Sequence, residues 1–302
     1  TPKPSSAASD VYKRQLLYNV LNSQYNGISD IGSVLDSIEK LKNKNTFTIT
    51  TGHQLCLNTG PLYFIYKILH TIKLCVELSK TYKEFNFIPV FWMASEDHDF
   101  EEISSFRFQG KSIRWRGEAA GTVGKMSLED LQPTLDVFEK QLGGGANAGY
   151  IKDLINQSYR ISNTLSEATF RLVNILFGEY GLIVIEPQKP ELKTLFKPIL
   201  KEELSKSPSF NAVTKQNEQL KKVIYSNYTP QVNPREINLF YLTPNGRHRI
   251  KKIADHFYLS GTELSFTELD FMRLVDQEPE RFSPNVILRP VYQECILPNL
   301  CY

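Results

Sequence analysis

Cysteine is scarce in this chain, with four residues in 302. Cys56, Cys75, Cys295 and Cys301 form no C-x-x-C pair and no metal-ligand spacing. That argues against a disulfide framework or a thiolate metal site, and the expected compartment is the reducing cytoplasm, with free thiols. No uninterrupted apolar stretch is long enough to span a bilayer, so no membrane partner is expected. The N-terminus lacks the apolar centre of a signal peptide. Excess charge of one sign is missing too: 35 Lys and Arg against 33 Asp and Glu leave a net +2. Without a basic block, nucleic acid is not an expected partner. The P-loop spacing is also absent, because "GTVGK" (121–125) has only two residues between its glycines. What is present, 41% apolar and 23% charged residues, is ordinary globular composition. The length suits about two domains.

Both ends depart from the rest. "TPKPSSAASDVYKRQ" (1–15) is poor in apolar residues and follows no element period, so it is expected to be a disordered tail or a scar of cloning or assembly. "ILPNLCY" at the other end is still apolar, and the expectation is a fragment of a longer protein. Between them, "NTFTITTGHQ" (45–54) predicts a strand with its turn at Gly52. Pro61 suits the first helical position. Leu62, Ile65, Tyr66, Leu69, Ile72 and Val76 then recur as one apolar stripe. "FNFIPVFWMA" (85–94) is continuously apolar, as a strand covered on both faces would be. Strand, helix, strand is a βαβ unit with parallel strands.

A long helix is expected over 151–180, stopped by Gly181, and "GLIVIEP" (181–187) is a third strand. Two β-rich runs around Pro244-Asn245-Gly246 predict a hairpin, and "SPNVILRPVYQE" (283–294) is a last strand candidate. The expected fold is α/β, with a parallel sheet core in 16–110, 181–204 and 283–302. A largely helical insertion at 111–180 and a second, hairpin-bearing one at 205–282 interrupt it.

Parallel sheets bind ligands beyond the carboxyl ends of their strands. "TGHQ" (51–54) and "SEDHDFEE" (95–102) both follow predicted strands, and the second packs five carboxylates and a histidine into eight positions. A shared crevice would hold His53, His98 and these carboxylates beside the helix start at Gly60-Pro61, a site for phosphate or carboxylate. Lys67 would add a full charge. A plainer account competes: Asp99 and Glu102 fit a capping box, and Tyr63 and Tyr66 fit a core face. "GTVGKMSLED" (121–130) reads as a turn into a helix capped by Ser127, although its "KMS" echoes the lysine loop of class I aminoacyl-tRNA synthetases.

"TGHQLCLNTGPLYFIYKILHTIKL" followed by "IPVFWMASEDHDFEEI" resembles the cysteine-adding enzymes of bacillithiol biosynthesis, the BshC family. The likeness continues in order at "SEATFRLVNILFGEYGLIVIEP", "INLFYLTPNGRHRI" and "EPERFSPNVILRPVYQECILPNL". Members of that family carry T-G-Q-Q where this chain has Thr51-Gly52-His53-Gln54. Their chains continue into a glycine-rich segment and a coiled coil. The resemblance implies a Rossmann-like core of the nucleotidyltransferase (HUP) type with connecting-peptide insertions. It implies ligation of L-cysteine to glucosaminyl-malate in the cytoplasm, as the last step of bacillithiol assembly, by a protein that is a homodimer when full length. By analogy with related folds it implies ATP or a related nucleotide, and no metal is expected.

On that basis Thr51, Gly52, His53, Gln54, Gly60, Pro61 and Tyr63 are assigned to the nucleotide, and Lys67 to transition-state charge. Glu96, Asp97, His98 and Asp99 are assigned to the amine substrate or to general-base work. His53, Lys67, Asp97 and His98 are thus the catalytic candidates. Asn285, Arg289, Gln293 and Glu294, on the last strand, are assigned to malate or cysteine. Two other readings are a metal-dependent hydrolase or phosphotransferase on the same rim, and a non-catalytic fragment that binds nucleotide.

Overall fold

The computed structural model describes residues 4–29, 31–117, 121–223 and 228–300. Its chain divides into two compact units, residues 1–188 with 297–302, and residues 189–296. The first runs through α1 (Pro4–Gln24), α2 (Gly32–Lys40), β1 (Thr46–His53), α3 (Leu62–Thr81), β2 (Asn86–Met93) and α4 (Phe100–Ile103). It continues with β3 (Ser105–Phe108), β4 (Lys111–Arg114), α5 (Gln132–Leu142), α6 (Ala146–Ile155), α7 (Leu165–Phe177) and β5 (Ile183–Ile185).

Its centre is a parallel sheet of order β1-β2-β5. β2 is the middle strand and is buried from Phe87 to Met93, as expected for an unbroken apolar run with strands on both sides. Trp92 faces Gly52 on one side and Ile185 on the other, so all three strands end at nearly the same level. The chain therefore leaves β1, β2 and β5 at one rim. Gly52 is a strand residue, and the expected turn there is displaced beyond His53. A Cβ at Gly52 would stand 3.1 Å from the Trp92 carbonyl oxygen, so the missing side chain serves the close pairing of two strands.

Several other expectations change. Residues from Pro4 onward form α1, where a disordered tail was expected, and residues 1–3 lie outside the described ones. Tertiary contacts anchor this helix: Arg14 donates to the carbonyls of Leu41, Asn43 and Thr46 at 2.9–3.1 Å and to Asp10 at 3.0 Å. Pro61 is the N-cap of α3, one position before its expected place. The face α3 buries is Phe64, Ile68, Thr71, Ile72 and Cys75, while Leu62 and Tyr66 of the expected stripe are 59% and 62% exposed. This helix is apolar around most of its girth, so spacing alone does not choose the core side.

The single helix expected over 151–180 is broken. A π-type turn follows α6, and Thr164 caps α7 by accepting from the Glu167 N–H, while Glu167 accepts from the Asn163 N–H. These two side-chain bonds at its first turn start a new helix. Gly181, at φ +72°, turns the chain into β5.

The second unit holds α8 (Pro190–Thr194), α9 (Lys197–Lys206), α10 (Pro208–Val223), β6 (Leu239–Thr243), β7 (Gly246–Ile253) and β8 (His256–Leu259). β9 (Ser265–Thr267), α11 (Glu268–Gln277), β10 (Phe282–Pro284) and α12 (Arg289–Ile296) follow. Its sheet, of order β10-β6-β7-β8-β9, is antiparallel throughout. Pro244 and Asn245 form the two-residue connection of the β6–β7 hairpin. One face of this sheet packs an aromatic cluster of Tyr241, Phe257, Phe271 and Phe282, with ring centroids 4.7–5.8 Å apart.

The last strand candidate is mostly helix. β10 spans three residues and pairs antiparallel with β6, and residues 289–296 are α12. The Asn285 side-chain oxygen accepts from the N–H groups of Ile287 and Leu288 and turns the chain, and Pro290 is tolerated in a first helical turn.

Candidate active site

The rim of the parallel sheet gathers the polar ends of all three strands. Beyond β1, the Gln54 amide donates to Asp97 Oδ2 at 2.8 Å and to Glu102 Oε2 at 3.2 Å. The two loops singled out by sequence therefore meet. Asp97 is held further by the His98 backbone N–H at 2.8 Å, and the His98 ring lies 3.4 Å from the same Asp97 oxygen. The Asp97 side chain is 15% exposed and that of His98 52%. Asp99 caps α4 by accepting from the Glu102 N–H, so the capping account explains one carboxylate of the cluster. Glu96 is buried.

Beyond β5 stands Glu186, which sequence reasoning missed. Its two carboxyl oxygens accept from Ser95 Oγ at 2.5 Å and Ser166 Oγ at 2.7 Å, and one also accepts from the Gln188 N–H at 3.0 Å. Burial pushes this carboxyl above its ordinary value, against those hydrogen bonds, and the Glu96 charge adds to the rise. Its signal was available: a lone acid directly after the apolar "LIVI", the same pattern that drew attention to "SEDHDFEE". Ser166, on the first turn of α7, ties the α6–α7 region to the same carboxylate.

"GTVGK", read from sequence as a plain turn, crosses this loop. The Val123 N–H donates to the Asp97 carbonyl at 2.7 Å and the Gly124 N–H to that of Ser95 at 3.0 Å. A Cβ on Gly124 would fall 2.6 Å from Ser95 Cβ and from Ser166 Oγ, so only glycine fits there without displacement. The buried Thr122 hydroxyl beside it has no hydrogen-bond partner among the described residues. Ser127 does meet the N–H of Glu129, at 3.3 Å, ahead of α5.

The helix-start residues form an adjoining set. Asn58, Thr59 and Gly60 have successive φ of 47°, 66° and 57° before Pro61, and a Cβ at Gly60 would meet that of Cys56 at 2.5 Å. The Asn58 N–H donates to the buried Tyr159 hydroxyl at 2.9 Å, and Asn58 Nδ2 is buried without a partner among the described residues. His53 is half buried, with Nδ1 3.2 Å from the Gln54 carbonyl and its ring 5.4 Å from that of Tyr63. Burial, and secondarily the Lys67 charge, lower its pKa, so the imidazole is neutral at neutral pH. Burial likewise pushes the Cys56 thiol up to about 11, away from thiolate reactivity. Lys67 donates to the Gly52 carbonyl at 2.6 Å. Thr51, Tyr63 and Lys67 line an open cleft of about 650 Å³ along α3, which His53, Asp97 and His98 do not line.

The four candidates in the second unit are placed differently. Asn285 donates to Asn238 Oδ1 and accepts the two N–H groups named above, so its side chain is committed to the fold. Arg289, Gln293 and Glu294 lie on α12, off any strand. Among the described residues, no three His, Cys, Asp or Glu side chains are grouped to hold a metal ion, and no helix is long and apolar enough to cross a membrane. Cys56 and Cys75 are buried free thiols, and Cys301 lies outside the described residues.

Residues 3–302 match the family described as "Bacillithiol biosynthesis BshC, N-terminal Rossmann-like domain". The chain is 49% identical over 293 residues to "Putative cysteine ligase BshC" of Flavobacterium johnsoniae, covering 97% of this chain and 54% of that one. It is 47% identical to the protein of the same name in Flavobacterium psychrophilum, over 96% of this chain and 54% of the relative. The figure is 33% for the protein of that name in Chlorobaculum tepidum, over 98% and 54%. The chain thus spans about half the length of the curated relatives it matches. A parallel α/β core and a match running almost from end to end lead to one conclusion: the chain belongs to the BshC family, through its N-terminal Rossmann-like domain.

Proposed function

We propose that the rim around Gln54, Asp97 and Glu102 is the reaction centre of a ligase that joins L-cysteine to glucosaminyl-malate, completing bacillithiol, with a nucleotide activating the cysteine carboxylate. The relatives' name supports the cysteine ligase class. The observation that carries the reading is the Gln54 amide, which bridges Asp97 and Glu102 across two strand ends. An amine nucleophile arrives as its ammonium form, and paired carboxylate oxygens on a sheltered rim attract it. Asp97, less exposed than the His98 ring beside it, takes the proton at nitrogen and frees the lone pair for attack on the activated carboxyl carbon. Gln54 Oε1, buried and without a partner among the described residues, accepts from the same amine.

The residues present fit a phosphate-bearing cosubstrate. The α3 start offers N–H groups without intrahelical partners, Asn58 Nδ2 is an unused donor, and Lys67 brings a positive charge. ATP, when bound, supplies the activation of the carboxylate. Neutral His53 is a hydrogen-bonding group at the position where the family pattern carries Gln, and its role is contact with the cosubstrate rather than charge. Neither a bound metal nor a charged imidazole enters this scheme. The full-length protein works as a cytoplasmic homodimer in the same proposal.

A full-length family member incubated with L-cysteine, glucosaminyl-malate and a nucleoside triphosphate should yield the condensed product, read by mass. A folded enzyme that makes no product with any nucleotide overturns the reading. Replacing the residue equivalent to Asp97 by Ala should lower kcat on the order of 10²–10⁴-fold, with thermal unfolding little changed. An unchanged rate would return the loop to a capping role.

A further inference from the structure

Asp97 stands on the loop between β2 and α4, and a loop places a reacting group only as firmly as its own anchors are fixed. One side of this loop is anchored by "GTVGK", through the Gly124 N–H on the Ser95 carbonyl and the Val123 N–H on the Asp97 carbonyl. Glu186 holds the other side. Ser95, two residues before Asp97 and buried, donates from Oγ to Glu186 Oε1 at 2.5 Å.

Glu186 is itself fixed in place. It directly follows β5, and its backbone N–H donates to the Gln24 side-chain oxygen on α1 at 3.0 Å. The Gln188 N–H donates to Oε1 at 3.0 Å, and Ser166 Oγ, in the first turn of α7, donates to Oε2 at 2.7 Å. One carboxyl group thus ties the loop after β2 to the end of β5 and to the start of α7. These donors are two hydroxyls and a backbone N–H, none of them charged, so what Glu186 supplies here is geometry rather than the neutralisation of a cation.

Asp97 takes its place from this clamp. Its N–H donates to the Ala94 carbonyl at 3.2 Å, closing a turn over Ser95 and Glu96, so a shift of Ser95 carries Asp97 with it. A displacement of about 1 Å at a reacting group costs on the order of 10²-fold in rate. We propose that Glu186 is a positioning residue: through Ser95 it sets where the Asp97 carboxylate meets the amine substrate, while its own oxygens stay committed to Ser95, Ser166 and Gln188. The inference rests on the ligase reading above, in which Asp97 takes the proton.

Three variants separate reach from charge. Glu186→Asp keeps the charge and withdraws the carboxyl by about 1.5 Å, out of reach of both serines. Glu186→Gln keeps the reach and an oxygen for Ser95, and burial already pushes the Glu186 carboxyl toward the neutral form that an amide copies. Ser95→Ala breaks the link from the loop side. In a full-length family member that carries both residues, Glu186→Asp and Ser95→Ala should each lower kcat about 10–100-fold, with KM for cysteine and for nucleotide within about threefold of wild type. Glu186→Gln should bring kcat back to within about threefold. A residue that only supported the fold would raise every KM together. Amide exchange in the 302-residue chain reads the clamp without turnover: Glu186→Asp should speed exchange of the Gly124 N–H about tenfold or more relative to the amides of β2. Unchanged kcat in Glu186→Asp and Ser95→Ala overturns the proposal, as does a Glu186→Gln enzyme as slow as Glu186→Asp. Should the wild type make no product, the ligase reading falls by itself. Faster Gly124 exchange would then still show Glu186 setting the Asp97 loop, and unchanged exchange would remove that role too.

Discussion

The two sheets of this protein use their strands in opposite ways. In the parallel sheet, β2 is buried along seven of its eight residues, Phe87 to Met93, and none of those seven is charged. Its chemistry is pushed to the strand ends, where Gln54, Asp97 and Glu186 collect. In the antiparallel sheet, β7 alternates, with Ile250 buried between exposed Arg249 and Lys251. One face there packs aromatics and the other presents cations. A sheet covered on both sides has only its rim to offer a ligand, whereas a sheet covered on one side can offer its surface.

Three tests probe that contrast, beginning with the greatest expected effect. Phe91→Ala, in the doubly covered β2, should cost about 3–5 kcal/mol, because Phe91 is 1% exposed and packs on Phe64 at 5.2 Å. Tyr258→Ala, on the open face of the antiparallel sheet, should stay within about 0.5 kcal/mol. Denaturant unfolding of both variants measures the difference, and equal losses would dissolve the distinction between the sheets.

Gly124→Ala should cost about 1–3 kcal/mol, since the new methyl meets Ser95 Cβ, the Ser95 carbonyl and Ser166 in a crowded rim. Gly246→Ala, at the hairpin, should cost clearly less, since its Cβ meets only the end of the His248 ring. Midpoints from thermal unfolding rank the two.

Glu186→Gln alters a slope. The Glu186 carboxyl titrates above its ordinary value in the folded protein, so the folded state holds that proton more tightly than the unfolded chain does. Its contribution is therefore complete below the ordinary carboxylate range and is lost as pH rises through the folded value. The unfolding free energy of the native protein, relative to Glu186→Gln, should fall as pH is raised from about 4 toward neutrality. A constant difference between the two proteins across that range would mean the buried carboxyl is not perturbed.

Much of the first unit was legible. "FIPVFWMA" and "LIVI" are apolar runs of strand length, and acids follow within two residues of each, so the parallel strands and their polar rim are legible in the sequence. Glu186 was nevertheless passed over, because one acid beside a strand carries less weight than five. "GTVGK" reads only as a turn in the sequence, because its role lies in two backbone N–H groups and one absent Cβ, which no residue pattern announces. "VILRPVYQE" misled for another reason. β-branched residues suggested a strand, whereas Asn285, by binding Ile287 and Leu288, started a helix.

The β1-α3-β2 order, the parallel pairing of those strands and the meeting of two polar turns follow from local pattern alone. Apolar runs must be covered, and a helix between two such strands leaves few ways to cover them. Which side of α3 enters the core, whether residues 4–15 are ordered and which guanidinium groups share one face all depend on contacts far apart in the chain. Arg14 orders α1 only where three carbonyls some thirty residues away converge on it. A helix apolar on most sides has no preferred inside until a sheet is laid against it.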